Sequence, residues 1–214
     1  MAAEQGALAA PADGSEGAGW DLALRLAFAA AQEALVGFAA AEGVPLRDLA
    51  CTLALALSDG ERLVAAQIGD GAVLVQDLDG SWQNLLPMQK GEYANEVLLL
   101  SAPDCLAALA PRRVLRPKAL VMSTDGLLRL MLRYPSGQPH GPFLEPLLTF
   151  CAQAQDPASA RRGLLTFLGS ARVCARTDDD KTLLIALAPP AGDVGPASRS
   201  ADEPAADADL DRAP

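Results

Sequence analysis

The sequence predicts an α+β fold, a layered sandwich in which two mainly antiparallel β-sheets are flanked by helices. Three observations lead to this prediction. A long helical pattern comes first, short apolar runs separated by Asp-Gly and Gly-Asp-Gly turns follow, and helical patterns return before a last apolar run. Strands paired as hairpins, with helices between them, fit helix-covered antiparallel sheets better than a regular βαβ array.

The first predicted element is an amphipathic helix from Trp20 to about Glu42, with apolar residues at helical spacing and a stop at Gly43 and Pro45. The predicted strands are Cys51–Ser58, Arg62–Ile68, Ala72–Asp77, Trp82–Leu86, Glu96–Leu100, Ala119–Ser123 and Thr182–Leu187. The first three read as an antiparallel meander. The later predicted helices are Gly126–Leu132, Phe143–Ala154 and Ala158–Leu168.

The 214 residues suffice for one domain with tails. Residues 1–19 are rich in Ala, Gly and acids and lack periodicity, so we expect a disordered or degraded N-terminal segment. Residues 20–188 form the predicted domain. Residues 189–214 hold six acids against two arginines and are expected to be a disordered acidic tail.

Charge and cysteine usage exclude several classes of function. The net charge of -10 and the lack of clustered Lys and Arg argue against a nucleic-acid partner. None of the four cysteines begins a C-x-x-C pair or the C-x5-R spacing of a thiolate phosphatase. The N-terminus lacks a signal-peptide pattern, and charged residues interrupt the Ala-rich run after Trp20. We therefore expect a cytoplasmic protein with no membrane partner.

Three aspartates stand where a predicted strand meets a turn: Asp70 in IGDGAVL, Asp125 in VMSTDGLLRL and Asp179 in RTDDDKTLLIAL. Strand ends of this kind can converge on one site, and Mg²⁺ and Mn²⁺ favour carboxylate oxygens and water. Each motif also has a structural reading, because a D-G pair is commonly a turn and an acidic run is commonly a solvated loop. The single histidine, His140, lies in a turn-rich stretch and reads as a surface residue.

The order of these motifs resembles the type-2C (PPM-type) metal-dependent serine/threonine protein phosphatases. The resemblance also includes ACTLALAL, a core strand, and QKGEYANEVLLLS, which is similar to a stretch of a bacterial branch. It covers about Trp20 to Leu187. It implies that Asp125 and Asp179 bind two Mn²⁺ or Mg²⁺ ions, that Asp70 helps to hold a weaker ion, and that phosphoserine or phosphothreonine proteins are hydrolysed by a metal-activated water.

The pattern departs from the family at the N-terminus. The family has a first strand bearing an Asp and a phosphate-gripping Arg, and this sequence begins too late for it. Ala12-Asp13-Gly14 resembles the family's A-D-G metal segment in shortened form, which makes Asp13 and Gly14 further candidate metal residues. We accordingly expect the chain as written to be a poor phosphatase.

Two functions of different kinds follow from the sequence. One is a protein phosphatase whose partners are phosphorylated proteins and possibly a serine/threonine kinase. The other is a catalytically impaired relative that acts as a binding or regulatory module. An unrelated α+β domain with coincidental turns is the third reading.

Overall fold

The computed structural model describes residues 14–86 and 97–189. Its described strands are β1 (Leu53–Ser58), β2 (Arg62–Ile68), β3 (Ala72–Gln76), β4 (Trp82–Asn84), β5 (Arg112–Leu115), β6 (Ala119–Ser123), β7 (Leu132–Arg133), β8 (Gln138–Pro139) and β9 (Leu183–Leu187). Its described helices are α1 (Gly14–Glu42), α2 (Leu128–Met131), α3 (Gly141–Gln153), α4 (Pro157–Leu168) and α5 (Ala171–Cys174).

The strands form two antiparallel sheets that pack face to face, which confirms the predicted sandwich. One sheet has the order β1-β2-β5 and the other has the order β4-β3-β6-β9, while β7 and β8 make a small separate ribbon. Alternation along β2 builds the layers: Leu63 and Ala65 face the second sheet, whereas Val64 and Ala66 face the outer helix. Both faces of β2 are therefore buried.

Helix α1 covers the outer face of the three-stranded sheet. Leu24 and Phe28 are fully buried there. Gln32 Nε2 donates to the carbonyl oxygen of Ala102 at 2.8 Å, which fastens the helix to the connection before β5. Within the described chain, 18–42 is a stretch long and apolar enough, at a mean hydropathy of 1.4, to cross a membrane by length and composition. Only 17% of the apolar window in this stretch is buried: Leu24 and Phe28 pack on the sheet, whereas Leu22, Leu26 and Phe38 are exposed.

The remaining helices cover the outer face of the four-stranded sheet. Leu74 and Val121 from the sheet pack against Met131 of α2, Leu144 of α3 and Val173 of α5. The two sheets meet in a third cluster that includes Val73 and Val75 of β3. The order of layers is thus helix, sheet, sheet, helices.

The structure corrects the predicted meander. β1 pairs with β2, but β3 pairs with β4 and β6 in the other sheet, so the turn from Gly69 to Gly71 crosses between sheets. A crossing turn and a hairpin turn share the same Gly-Asp-Gly signal, because both need backbone that glycine permits. The crossing sets Asp70 at the end of the sandwich.

Other element bounds differ from the sequence predictions. α1 begins at Gly14, six residues before Trp20. The predicted strand Glu96–Leu100 is wrong for its described part, since residues 97–99 have no regular structure and Leu100 lies in a turn. The predicted helix Gly126–Leu132 is a 3-10 turn followed by the one-turn α2. β5 was not predicted, because Arg112 and Arg113 interrupt the apolar pattern of this edge strand.

Candidate metal centre

Glycines on either side of Asp70 hold it at the crossing between the sheets. Gly69 has a φ of +124°, and a side chain there would collide with Thr52. A Cβ at Gly71 would lie 2.7 Å from the carbonyl oxygen of Ser123, at the end of β6. Only glycine allows so close an approach, and that approach carries Asp70 to the end of the strand that precedes Asp125.

Asp125 and Asp179 come together through a second close contact. Asp125 opens the 3-10 turn that follows β6. A Cβ at Gly126 would collide with the carbonyl oxygen of Asp180 and would lie 3.4 Å from Asp179 Cβ. The glycine after Asp125 therefore lets the two acidic loops touch, as the paired strand ends predict.

Two threonines clamp these loops to each other. The Thr182 backbone N–H donates to Thr124 Oγ1 at 3.1 Å, and the Thr124 backbone N–H donates to the Thr182 carbonyl oxygen at 3.3 Å. The clamp continues the pairing of β6 with β9 beyond Ser123 and Leu183. It fixes the approach of the Asp125 and Asp179 loops through main-chain atoms.

Electrostatics joins Asp70 to the same group. The register of β3 and β6 pairs Ala72 with Ser123, so Asp70, two residues before Ala72, and Asp125, two residues after Ser123, lie at the same end of this strand pair. Burial raises the pKa of Asp70, and the negative charges of Asp125 and then Asp179 raise it further. We call Asp70, Asp125 and Asp179 the aspartate cluster.

The aspartate cluster has no cationic partner in the described parts of the chain. None of its three carboxylates takes part in an ion pair there. Lys181 lies nearby, but its Nζ donates to the backbone carbonyl oxygen of Asp179 at 3.1 Å. Converging acids without a counter-charge are costly unless a cation joins them, so these residues fit a divalent ion.

The described carboxylates would hold such an ion only in part. No group of three or more His, Cys, Asp or Glu side chains within 14–86 and 97–189 is arranged to hold a metal. Asp179 Oδ1 accepts the Asp180 backbone N–H at 2.8 Å, which leaves Oδ2 for a ligand. Asp125 is exposed and its carboxylate forms no hydrogen bond with another described residue. One or two carboxylates with several waters is a set that Mg²⁺ accepts.

A cleft of about 240 Å³ opens beside the aspartate cluster, between the two sheets. Gly71 and Thr124, the chain neighbours of Asp70 and Asp125, lie in its wall. Gln67 Oε1 and Ser123 Oγ, also from wall residues, are buried without a hydrogen-bond partner. Neither oxygen is exposed to solvent, so neither is open to an occupant of the cleft in this arrangement. The cleft could not be predicted from the sequence, because it depends on how the sheets pack.

Three other residues that the sequence singled out are not part of the aspartate cluster as described. Asp13 lies outside the described residues. Gly14 is the first residue of α1. His140 is not the surface residue that the sequence suggested: it is half-buried just before α3, with Nδ1 at 3.2 Å from the Leu130 carbonyl oxygen, and it lines a cavity among the helices.

Comparison with known proteins agrees with this geometry. The sequence model of a family described as "Protein phosphatase 2C" matches residues 8–169, which include Asp70 and Asp125 and end before Asp179. The chain is 36% identical over 159 residues to "Serine/threonine-protein phosphatase 3" of Escherichia coli (strain K12), covering 73% of this chain. It spans 62% of the length of that relative. The chain belongs to the protein phosphatase 2C family.

Proposed function

We propose that this chain hydrolyses phosphoserine and phosphothreonine in proteins, with Mn²⁺ or Mg²⁺ held by Asp125 and Asp179 and with Asp70 beside them. The observation that carries the proposal is the aspartate cluster, which three separate chain segments build without a counter-cation. Family membership supports the same chemistry. It also removes the reading of an unrelated domain with coincidental turns.

Each residue of the site has a definable task in this proposal. Asp125 and Asp179 Oδ2 supply carboxylate oxygens, and the Thr124–Thr182 clamp keeps their loops together. These oxygens would hold a divalent ion, and the chemistry that it would supply is an activated water for attack on phosphorus. The cleft beside the aspartate cluster would receive the incoming phosphomonoester. The products are inorganic phosphate and the free hydroxyl of the peptide.

The partners in this proposal are phosphorylated proteins, and a serine/threonine kinase acting on the same proteins is a natural counterpart. The relative from Escherichia coli is named a serine/threonine-protein phosphatase, which supports this substrate class. A cytoplasmic location remains a prediction of the sequence.

A second function has one observation in its favour. Within the described residues no three metal-capable side chains close a site together, and this fits a weakened site. We infer as the alternative a catalytically impaired phosphatase-like domain that binds phosphorylated proteins and regulates them.

One experiment separates the two. Phosphate release from a phosphothreonine peptide is measured with Mn²⁺ and with chelator, and binding of the same peptide is measured in parallel. Turnover of about 1 per second or faster that Asp125→Asn abolishes supports the enzyme and contradicts the expectation of a poor phosphatase. Binding of the peptide without turnover supports the regulatory module. If the folded protein neither binds nor hydrolyses the peptide, both functions are wrong.

A further inference from the structure

A second cavity lies away from the cleft, among the helices that cover the four-stranded sheet. Its volume is about 580 Å³ and α2, α3, α4 and α5 all contribute to its wall. This volume is within the range of small-molecule sites in proteins. We call it the arginine cavity, because Arg129, Arg172 and Arg176 line it.

The body of the arginine cavity is apolar and largely aromatic. Phe143, Phe150 and Phe167 line it, and they are three of the five phenylalanines in the chain. The rings of Phe143 and Phe167 lie 6.0 Å apart at a tilted angle, a favourable geometry for an aromatic pair. A side chain on Gly163 would collide with the Phe150 ring, so this glycine lets the ring lie across α4. The wall is therefore shaped by specific packing.

The charge of the cavity is opposite to that of the chain. Arg129, Arg172 and Arg176 line it, and no Asp or Glu does, although the whole chain carries a net charge of -10. All three arginines are exposed. None of their guanidinium groups has a hydrogen bond or an ion pair with another described residue. Three unpaired guanidinium groups around one cavity create a local preference for an anion.

His140 adds a polar atom to the same wall. A carbonyl oxygen only accepts hydrogen bonds, so the 3.2 Å contact with Leu130 requires the proton on Nδ1.

We propose that the arginine cavity binds a small amphipathic organic anion, with its apolar body between the phenylalanine rings and its anionic group on the arginines. Arginine suits both carboxylate and phosphate, because its planar fork can donate two parallel hydrogen bonds to either group. The apolar walls favour a ligand that has an apolar body as well as an anionic group. A volume of about 580 Å³ suits a small molecule rather than a polymer such as a nucleic acid.

The proposal is independent of the phosphatase function, and its test uses binding alone. The full chain in metal-free buffer is titrated by calorimetry with decanoate and with decyl phosphate, both below their micelle-forming concentrations. Acetate lacks the apolar body and decan-1-ol lacks the charge, so these two are the ligand controls. We expect saturable one-to-one binding of at least one anion, with a Kd of about 0.1 mM or lower, and the stronger of the two identifies the preferred head group.

The protein variants test the arginines. The double change Arg172→Gln and Arg176→Gln is expected to weaken binding at least tenfold. Arg161→Gln is the matched control, because Arg161 is an exposed arginine of α4 that does not line the cavity. Thermal midpoints without ligand verify that every variant is folded. Three results would each overturn the proposal. They are binding of decan-1-ol or acetate as tight as that of the amphipathic anions, unchanged anion binding in the double variant, and no saturable anion binding to the folded wild-type chain.

Discussion

The aspartate cluster and the arginine cavity each bring together unpaired charged side chains, negative in the first and positive in the second. The two regions are built in different ways. Glycine contacts, strand register and a threonine clamp hold the aspartates, so their arrangement is fixed mainly by the backbone. The arginines stand on short exposed helical segments around packed rings. The aspartate cluster is therefore preorganised for a small cation, whose ligands tolerate little displacement. The arginine cavity can adapt to a larger organic ligand.

Separation of the two acidic loops should have the largest effect on the aspartate cluster. Gly126→Ala places a methyl group against the carbonyl oxygen of Asp180, so the Asp179 loop must move. Because this contact is to backbone, we expect a loss of about 1–3 kcal/mol of unfolding free energy, together with a loss of Mn²⁺ binding. Decanoate binding should remain. Chemical denaturation and calorimetric titration measure the three effects.

Gly37→Ala is the control for that change. Gly37 is an exposed residue of α1 with no heavy atom within 4 Å of the position its Cβ would take. The substitution should stabilise the protein by about 0.5–1 kcal/mol, because alanine favours the helix. If Gly126→Ala behaved like Gly37→Ala, the loops would not be in the contact described.

A smaller effect is expected from the threonine clamp. Thr124→Val removes the oxygen that accepts the Thr182 N–H, at a cost of about 1 kcal/mol. Mn²⁺ affinity should fall because the loops can separate. Thr124→Ser keeps the hydroxyl and should retain most of both properties. Equal Mn²⁺ affinities in the Val and Ser variants would contradict a positioning role for the clamp.

The smallest effect concerns the pH dependence of Asp70. Burial and the charges of Asp125 and Asp179 raise its folded pKa. The folded state then binds the proton more tightly, so stability falls as pH rises from the ordinary aspartate range through the raised pKa. In chelator at pH 7, Asp70→Asn should therefore have an equal or higher thermal midpoint. The difference should vanish below the ordinary pKa of an aspartate.

Asp59 provides a control of opposite sign. Burial acts to raise its pKa, but hydrogen bonds from Arg62 and Glu61 outweigh burial and lower it. Asp59→Asn should therefore lose stability at pH 7, and this loss should disappear as pH falls through the lowered pKa. Thermal scans of both variants from pH 3 to pH 7 compare the two signs. A shared sign would show that Asp70 is not in an acidic cluster.

Much of the fold could be predicted because its cause is local. Short apolar runs between turn residues marked β2, β3, β6 and β9, and glycines next to aspartates marked the strand ends that approach one another. The destination of β3 could not be predicted, since a turn within a sheet and a turn between sheets have the same residues. Sheet assignment depends on packing over long sequence distances.

The candidate site divides in the same way. Asp70, Asp125 and Asp179 could be singled out because each interrupts an apolar run, and the structure brings them together. The role of Gly126 in loop contact and the cleft at Ser123 could not be read from sequence. The arginine cavity was also missed, and His140 was misread, because four short segments build that wall and none has a recognisable motif.

Asp125 and Asp179 are proposed to hold a divalent ion. The direct test is calorimetric titration with Mn²⁺ of three proteins: the wild-type chain, Asp125→Asn and Asp179→Asn. We expect saturable binding to wild type, weakened about 100-fold or more in each variant, because a lost ligand should cost at least as much as a lost outer partner. Thermal midpoints in chelator should be unchanged or higher, since repulsion between acids is relieved. Equal Mn²⁺ affinity in all three proteins, or a large loss of stability in chelator, would contradict the account.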